Sequence, residues 1–160
     1  MFTILFITLA LLVAAGTMII KKKTKAVDII ETIIMFMLLF NVGLGGLFAF
    51  AGHTLMADQV AAKIGWTTGS PFQFEVAVAN LALGVLGLLS FWFRQNFWLA
   101  TSIAYTVFLL GAAAVHIREM LVNRNFAEYN TGALIFAGDI AIPLALLVLV
   151  IIHRRLQHKG

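Results

Sequence analysis

His53, Glu75, His116, Glu119 and Asp139 are the titratable side chains best placed for chemistry, because each lies inside or against an apolar run. His53 closes the second such run. Gln73 and Glu75 open the third, and Asn80 follows about one and a half turns farther in. His116 and Glu119 close the fourth, with Tyr105 eleven residues and Ala112 four residues before His116 on the same face. Asp139 lies seven residues past Gly132, which at 1.5 Å per residue places it about 10 Å into the fifth run. Ionisable and amide groups are expensive in hydrocarbon, so each is a candidate for function. The candidate ligand-binding set is therefore His53, Gln73, Glu75, Asn80, Tyr105, His116, Glu119 and Asp139. Of these, His53, Glu75, His116, Glu119 and Asp139 come from four segments at similar depth.

Four kinds of chemistry fit these residue types. The first is a purely structural cluster that staples helix ends. The second is a pocket for a small polar ligand or a quinone headgroup. The third is a metal ion held by His53, Glu75, His116, Glu119 and Asp139, in which His116 and Glu119, at i and i+3, share a helical face. The fourth is haem ligated by His53 and His116. Pro143 cannot donate to the carbonyl of Asp139, so the backbone opens beside the deepest carboxylate. Asn80, His116 and Arg118 are the partners expected for that carboxylate. No catalytic residue is assigned. The chain has no cysteine, which excludes thiolate metal sites and cysteine nucleophiles. It also lacks a Ser-His-Asp arrangement, a phosphate loop and a dinucleotide fingerprint.

The elements that position these groups follow from composition. Only 11% of the residues are charged and the mean hydropathy is +1.01, too few polar groups to cover a soluble domain. Five apolar segments, Met1 to Ile20, Val27 to Ala51, Phe74 to Phe93, Phe97 to Ile117 and Gly132 to Ile152, approach the ~20 residues that a membrane-spanning helix needs. The expected fold is an all-α integral membrane protein with five transmembrane helices, the last four forming an antiparallel four-helix bundle. Residues 1–20 form an N-terminal helix at its edge, 27–153 the bundle and 154–160 a basic cytoplasmic tail.

With the N-terminus outside, Lys21, Lys22, Lys23, Lys25, Arg94, Arg154, Arg155 and Lys159 lie inside, and Lys63, Arg118 and Arg124 outside. Positive-inside bias favours that orientation, with the C-terminus cytoplasmic in a plasma membrane. Asp28 and Glu31 are expected to pair with the adjacent lysines, and His153 and His158 to meet anionic lipid with the tail. Met56, Ala57, Val60, Ala61 and Ile64 recur at helical spacing, which predicts a short external amphipathic helix ended by Gly65, with Trp66 at headgroup depth. Gly43, Gly45, Gly46 and Ala49 in the second span, and Ala77, Asn80, Gly84 and Gly87 in the third, form small-residue faces for close helix contact.

The blocks Gly52-His-Thr, Ala57-Asp, Ile64-Gly-Trp, Gly69-Ser-Pro-Phe-Gln-Phe-Glu75 and Ala79-Asn-Leu, with Phe108-Leu-Leu-Gly, His116-Ile-Arg-Glu-Met, Asn130, Gly132 and the Asp139-to-Pro143 stretch, resemble an uncharacterised family of small bacterial and archaeal membrane proteins, a domain of unknown function. The resemblance covers roughly Asn41 to Leu147. It implies a fold and no activity. A more distant similarity is to the DoxX-like four-helix membrane proteins, through the glycine-rich second span, Ile64-Gly65 and Glu75. Some of these are subunits of quinone-linked sulfur oxidoreductases and others are assembly helpers, so a redox role here is analogy at the level of the fold.

These readings rank a non-catalytic module first, either an accessory subunit or a small-ligand binder. A membrane oxidoreductase or a metal-, haem- or quinone-dependent enzyme comes second. A small-solute transporter comes third, since the inner half offers only Asn41 and Ser90 as a polar path. The implied partners are the lipid bilayer and either other membrane subunits or further copies of the chain; nucleic acid is excluded.

Overall fold

Long apolar segments become helices because lipid leaves no other partner for backbone N–H and C=O groups. In a computed structural model that describes residues 2–132 and 134–157, five helices are long and apolar enough to cross a membrane. They are α1 (Phe2–Ile20), α2 (Ala26–Leu55), α4 (Phe72–Leu89), α5 (Asn96–Val122) and α6 (Ile135–Gln157). A short helix, α3 (Ala57–Ile64), stands between α2 and α4. No strand occurs among the described residues. Met1 and the tail residues His158 and Lys159 lie outside the described residues.

The spans are where hydropathy places them, but four ends differ: α4 stops at Leu89, short of Phe93, and three helices run on. α2 runs to Leu55, one turn past Ala51, so His53 is inside the helix. α5 continues past Ile117 to Val122 and takes in Glu119. α6 continues through Arg154 and Arg155 to Gln157. In the last two cases the polar residues at the end still have helix-forming backbones, and hydropathy alone ends a helix too early.

Two spans change geometry in mid-course. Leu38–Leu44 of α2 and Leu134–Ala141 at the start of α6 are π-helical. The second stretch ends just before Pro143, whose missing N–H already weakens the ladder there.

α1 and the first half of α2 pack together, α2 also packs on α4, and α5 on α6. α1 touches the start of α6, where Thr3 lies beside Gly138. Most of α1 is nonetheless exposed, with only Ala10 and Ala14 buried. The α2–α4 contact is backbone to backbone. A Cβ on Gly46 would lie 2.7 Å from the carbonyl oxygen of Asn80 and from the Cα of Gly84. One on Gly87 would lie 2.7 Å from the Cα of Gly43. Small residues at this crossing are what membrane helices use in place of a hydrophobic drive.

α3 buries Ala61 and Ile64 and exposes its charged face. Gly65 ends it at φ 81°, with its own N–H on the carbonyl of Ala62 (3.1 Å) and that of Trp66 on the carbonyl of Ala61 (2.9 Å). Those are the two bonds of a glycine C-cap, and the left-handed conformation is why glycine stands there.

Candidate functional site

The end of the molecule that carries α3 is tied together by amides. Asn125 donates to the carbonyl of Ile64 (2.9 Å) and accepts from the N–H of Ala127 (3.1 Å). The N–H of Tyr129 reaches the carbonyl of Lys63 (2.9 Å). Asn130 is wholly buried. Its amide nitrogen donates to the carbonyls of Asn125 (2.7 Å) and His116 (3.4 Å), and its amide oxygen faces His116 Nδ1 at 2.7 Å. Two donations fix which way the Asn130 amide points. The oxygen can only accept, so His116 carries a proton on Nδ1. The Trp66 ring stacks on the His116 ring, with centroids 5.9 Å apart and planes 8° from parallel.

His53 is set the other way. Gln73 is buried and its amide nitrogen donates to the carbonyl of Ala57 (3.0 Å), which orients it so that the same nitrogen faces His53 Nδ1 at 3.1 Å. His53 Nδ1 is then an acceptor and its Nε2 carries the proton. The two histidines at this end hold opposite tautomers, each set by a neighbouring amide.

Beside them lies a cleft of ≈ 300 Å³ lined by Gly65, Trp66, Thr67, Ser70, Phe72, Gln73 and Glu119. Both carboxylate oxygens of Glu119 accept from Asn123 at 2.9 Å, and Arg118 stands 3.7 Å away. Lys63, in the last turn of α3, hydrogen-bonds Tyr129 (3.3 Å) and faces Glu128 (3.8 Å). The Tyr129 hydrogen bond first, and then the Glu128 charge, hold its ammonium above the ordinary lysine range.

The eight candidate residues thus separate. His53 and Gln73 are bonded, Gln73 and Glu119 share the cleft, and His116 lies under its Trp66 wall. Glu75 is exposed. Asn80 turns its amide onto its own helix, donating to the carbonyl of Val76 (2.9 Å). Asp139 lies apart, in the π-helical start of α6. The five proposed metal ligands are not gathered: among the described residues no three His, Asp or Glu side chains come close enough to hold one ion. The partners expected for Asp139 are committed elsewhere, Asn80 to Val76, His116 to Asn130 and Arg118 to Glu119.

The opposite, lysine-bearing end holds a cluster that the sequence did not disclose. Glu31 pairs with Arg94, and His153 Nε2 lies 3.8 Å from the second oxygen of Glu31. Arg94 also covers the ring of Trp98 at 5.7 Å, and the Trp98 indole N–H donates to the carbonyl of Ser90 (2.7 Å). Glu31 therefore does not pair with the adjacent lysines. Lys23 instead donates to the hydroxyl of Thr32 (2.8 Å). His153 does not meet lipid either; it is 4% exposed, on the inner face of α6. The run Ile142, Leu146, Val150, His153 keeps helical spacing and was the available signal. Asn130, in an Asn-Thr-Gly segment that reads as a turn, was marked only by the family resemblance, with no role attached.

Residues 1–159 match the model of a family of unknown function (DUF6790), and the chain belongs to that family. No curated protein and no solved structure matches it. Membership bears out an uncharacterised family; a prokaryotic origin and the DoxX-like kinship are left as expectations from the sequence.

Proposed function

We propose that this multi-pass membrane protein is a small-ligand-binding module, with the cleft beside α3 as its binding site. The observation that supports this is the lining of that cleft: two aromatic rings (Trp66 and Phe72), one amide (Gln73) and one carboxylate (Glu119) around ≈ 300 Å³. Binding sites of this kind combine apolar walls with a few placed polar groups. A carboxylate beside an indole selects for positive charge, through ion pairing and through the face of the ring. The ligand class is therefore a small organic cation. Positive-inside bias places the cleft on the external side, and a module of this size would serve as an accessory subunit or as a homo-oligomer. The Gln73 and Asn130 amides keep both neighbouring histidines in fixed tautomers, which gives the site a defined pattern of donors and acceptors.

Titration of the purified protein with choline, followed by tryptophan fluorescence, tests the reading. Saturable quenching is expected, weakened in Glu119→Gln. No saturable response, or one that Glu119→Gln leaves unchanged, overturns it. A topology reporter at Thr67 should read external and one after Gly160 cytoplasmic; the reverse result moves the cleft to the other side of the membrane.

A further inference from the structure

The lysine-bearing end holds a second cleft, larger than the one beside α3 and different in chemistry. Its volume is ≈ 810 Å³. Asp28 and Glu31 of α2, Gln95 and Asn96 at the start of α5, and Arg154 and Leu156 of α6 line it. Two spans begin and one ends around this opening, so it lies where the helices leave the hydrocarbon.

Its charges are of both signs and are not matched to each other. Asp28 and Glu31, at i and i+3, share a face of α2. Arg94 neutralises Glu31 through one carboxylate oxygen. The other oxygen has His153 Nε2 at 3.8 Å, beyond hydrogen-bond reach. That imidazole nitrogen is buried and has no hydrogen-bond partner among the described residues. The Asp28 carboxylate forms no ion pair among the described residues. Lys23, which could have reached it, is turned to the hydroxyl of Thr32. Across the opening, Arg154 donates one N–H to the amide oxygen of Asn96 (2.6 Å) and meets no carboxylate among the described residues. A guanidinium has five N–H donors, so most remain available. With Glu31 and Arg94 paired, the cleft presents one negative group and one positive group with open space between them.

An occupant that satisfies both must carry both signs and no net charge. A phosphate suits the fork of Arg154. An ammonium suits Asp28 and the spare oxygen of Glu31. No aromatic ring lines this cleft, so nothing favours a methylated ammonium, which is recognised by ring faces. Carboxylate and amide oxygens favour an ammonium that has N–H bonds to give. A third feature points into the membrane. Leu144, Val148, Ile152 and Leu156 are all exposed, and their four-residue spacing makes one apolar ridge along α6 that ends at the cleft.

We propose that this cleft binds a phospholipid whose headgroup joins a phosphate to a primary ammonium, as phosphatidylethanolamine does. The phosphate lies on Arg154, the ammonium between Asp28 and Glu31, and the acyl chains along the Leu144-to-Leu156 ridge. The site is at the opposite end from the cleft beside α3 and stands whether or not that cleft binds a cation.

The test is native mass spectrometry of the full chain in detergent, titrated with phosphatidylethanolamine, phosphatidylcholine or phosphatidylglycerol of identical acyl chains. Phosphatidylethanolamine should reach half-occupancy at about a tenfold lower concentration than phosphatidylcholine, the worth of one charge-assisted hydrogen bond. Asp28→Asn should abolish that preference. Arg154→Gln should weaken the binding of both lipids, since both carry the phosphate. Lys63→Gln, at the other end, should leave every titration unchanged. Thermal unfolding in the same detergent shows that each variant is folded. Equal occupancy by phosphatidylethanolamine and phosphatidylcholine overturns the proposal, as does an unaltered preference in folded Asp28→Asn. A preference for phosphatidylglycerol also overturns it and marks a basic patch for anionic lipid instead. Free phosphoethanolamine that binds as tightly as the lipid makes the occupant a soluble zwitterion and overturns the lipid assignment.

Discussion

The two principal helix seams solve the same problem in opposite ways. Between α2 and α4, glycines let the backbones touch, and backbone atoms together with the end of the Leu88 side chain fill the crossing. Between α5 and α6, hydroxyls, a phenol and an imidazole are set among the buried Trp98, Ile142, Leu146 and Val150, and two buried polar atoms of these helices have no partner among the described residues. A buried polar atom with no partner costs about 1–3 kcal/mol, so the second seam is the worse way to hold two helices together. The first reads as structure. The second carries a cost that structure alone does not explain, and groups retained at such a cost in membranes are the ones that do work.

The comparison breaks most readily at Gly87. A side chain there meets the backbone of Gly43 and Val42, which cannot rotate away. Gly87→Val should destabilise the protein by about 3 kcal/mol, as overpacking of a rigid contact does. Gly111, in α5, has nothing within 4 Å of its Cβ position, and Gly111→Ala should stabilise by about 0.5–1 kcal/mol by removing a flexible residue from a helix. Thermal unfolding of both variants in one detergent is the measurement. Equal effects would mean that the α2–α4 crossing is looser than its glycines imply.

Asn130 gives the next largest effect and tests the α3 end against the seams. It holds His116 and two carbonyls at once. Asn130→Ala should cost about 2 kcal/mol, the penalty of leaving buried partners unpaired. It should also free the Trp66–His116 stack, visible as a changed tryptophan emission. A stable variant with unchanged emission would show that the stack is held by Trp66 and its glycine cap alone.

What the sequence made legible divides along the same physical line. Hydropathy reports the cost of placing a whole segment in lipid, so the five spans were readable, with ends displaced by up to about a turn and a half. The glycine faces were readable too, because small residues at helical spacing have few other uses in a membrane. The candidate site was legible only in part. Depth put His53, Gln73, His116 and Glu119 near one another, but depth does not fix rotation about a helix axis. Glu75 is exposed and Asn80 bonds its own helix for that reason. Glu31, Arg94 and His153 come from segments far apart in the chain, and each has a plausible local use as a positive-inside or lipid-facing charge. Only the packing of α2 on α6 brings them together.

Asp139→Asn sharpens the comparison at a smaller scale. None of the side-chain hydrogen bonds among the described residues involves its carboxylate, and no cation pairs with it. The amide is nearly the same size and can bond the same water or carbonyl. Stability should therefore change by about 0.6 kcal/mol or less, the ordinary worth of a membrane hydrogen bond. A loss of several kcal/mol on thermal unfolding would place an ion pair in the α5–α6 seam and make it a structural contact like its glycine counterpart.

The smallest effect belongs to Lys63, exposed in the last turn of α3, where the solvent screens every partner. Its ammonium hydrogen-bonds Tyr129 and faces Glu128, and these raise its proton affinity above the ordinary 10.5. A group whose affinity is raised on folding stabilises the fold fully below its unfolded value, and the contribution is lost only as the pH climbs through the folded one. The window of loss thus lies above pH 10.5. Between pH 6 and pH 9 the unfolding temperatures of the wild type and Lys63→Gln should run parallel and nearly coincide, since exposed pairs contribute little. A gap between the two curves that opens or closes within that range would mean that Lys63 is desolvated in the folded protein, and that the end of α3 packs on Tyr129 and Glu128 more tightly than its exposure indicates.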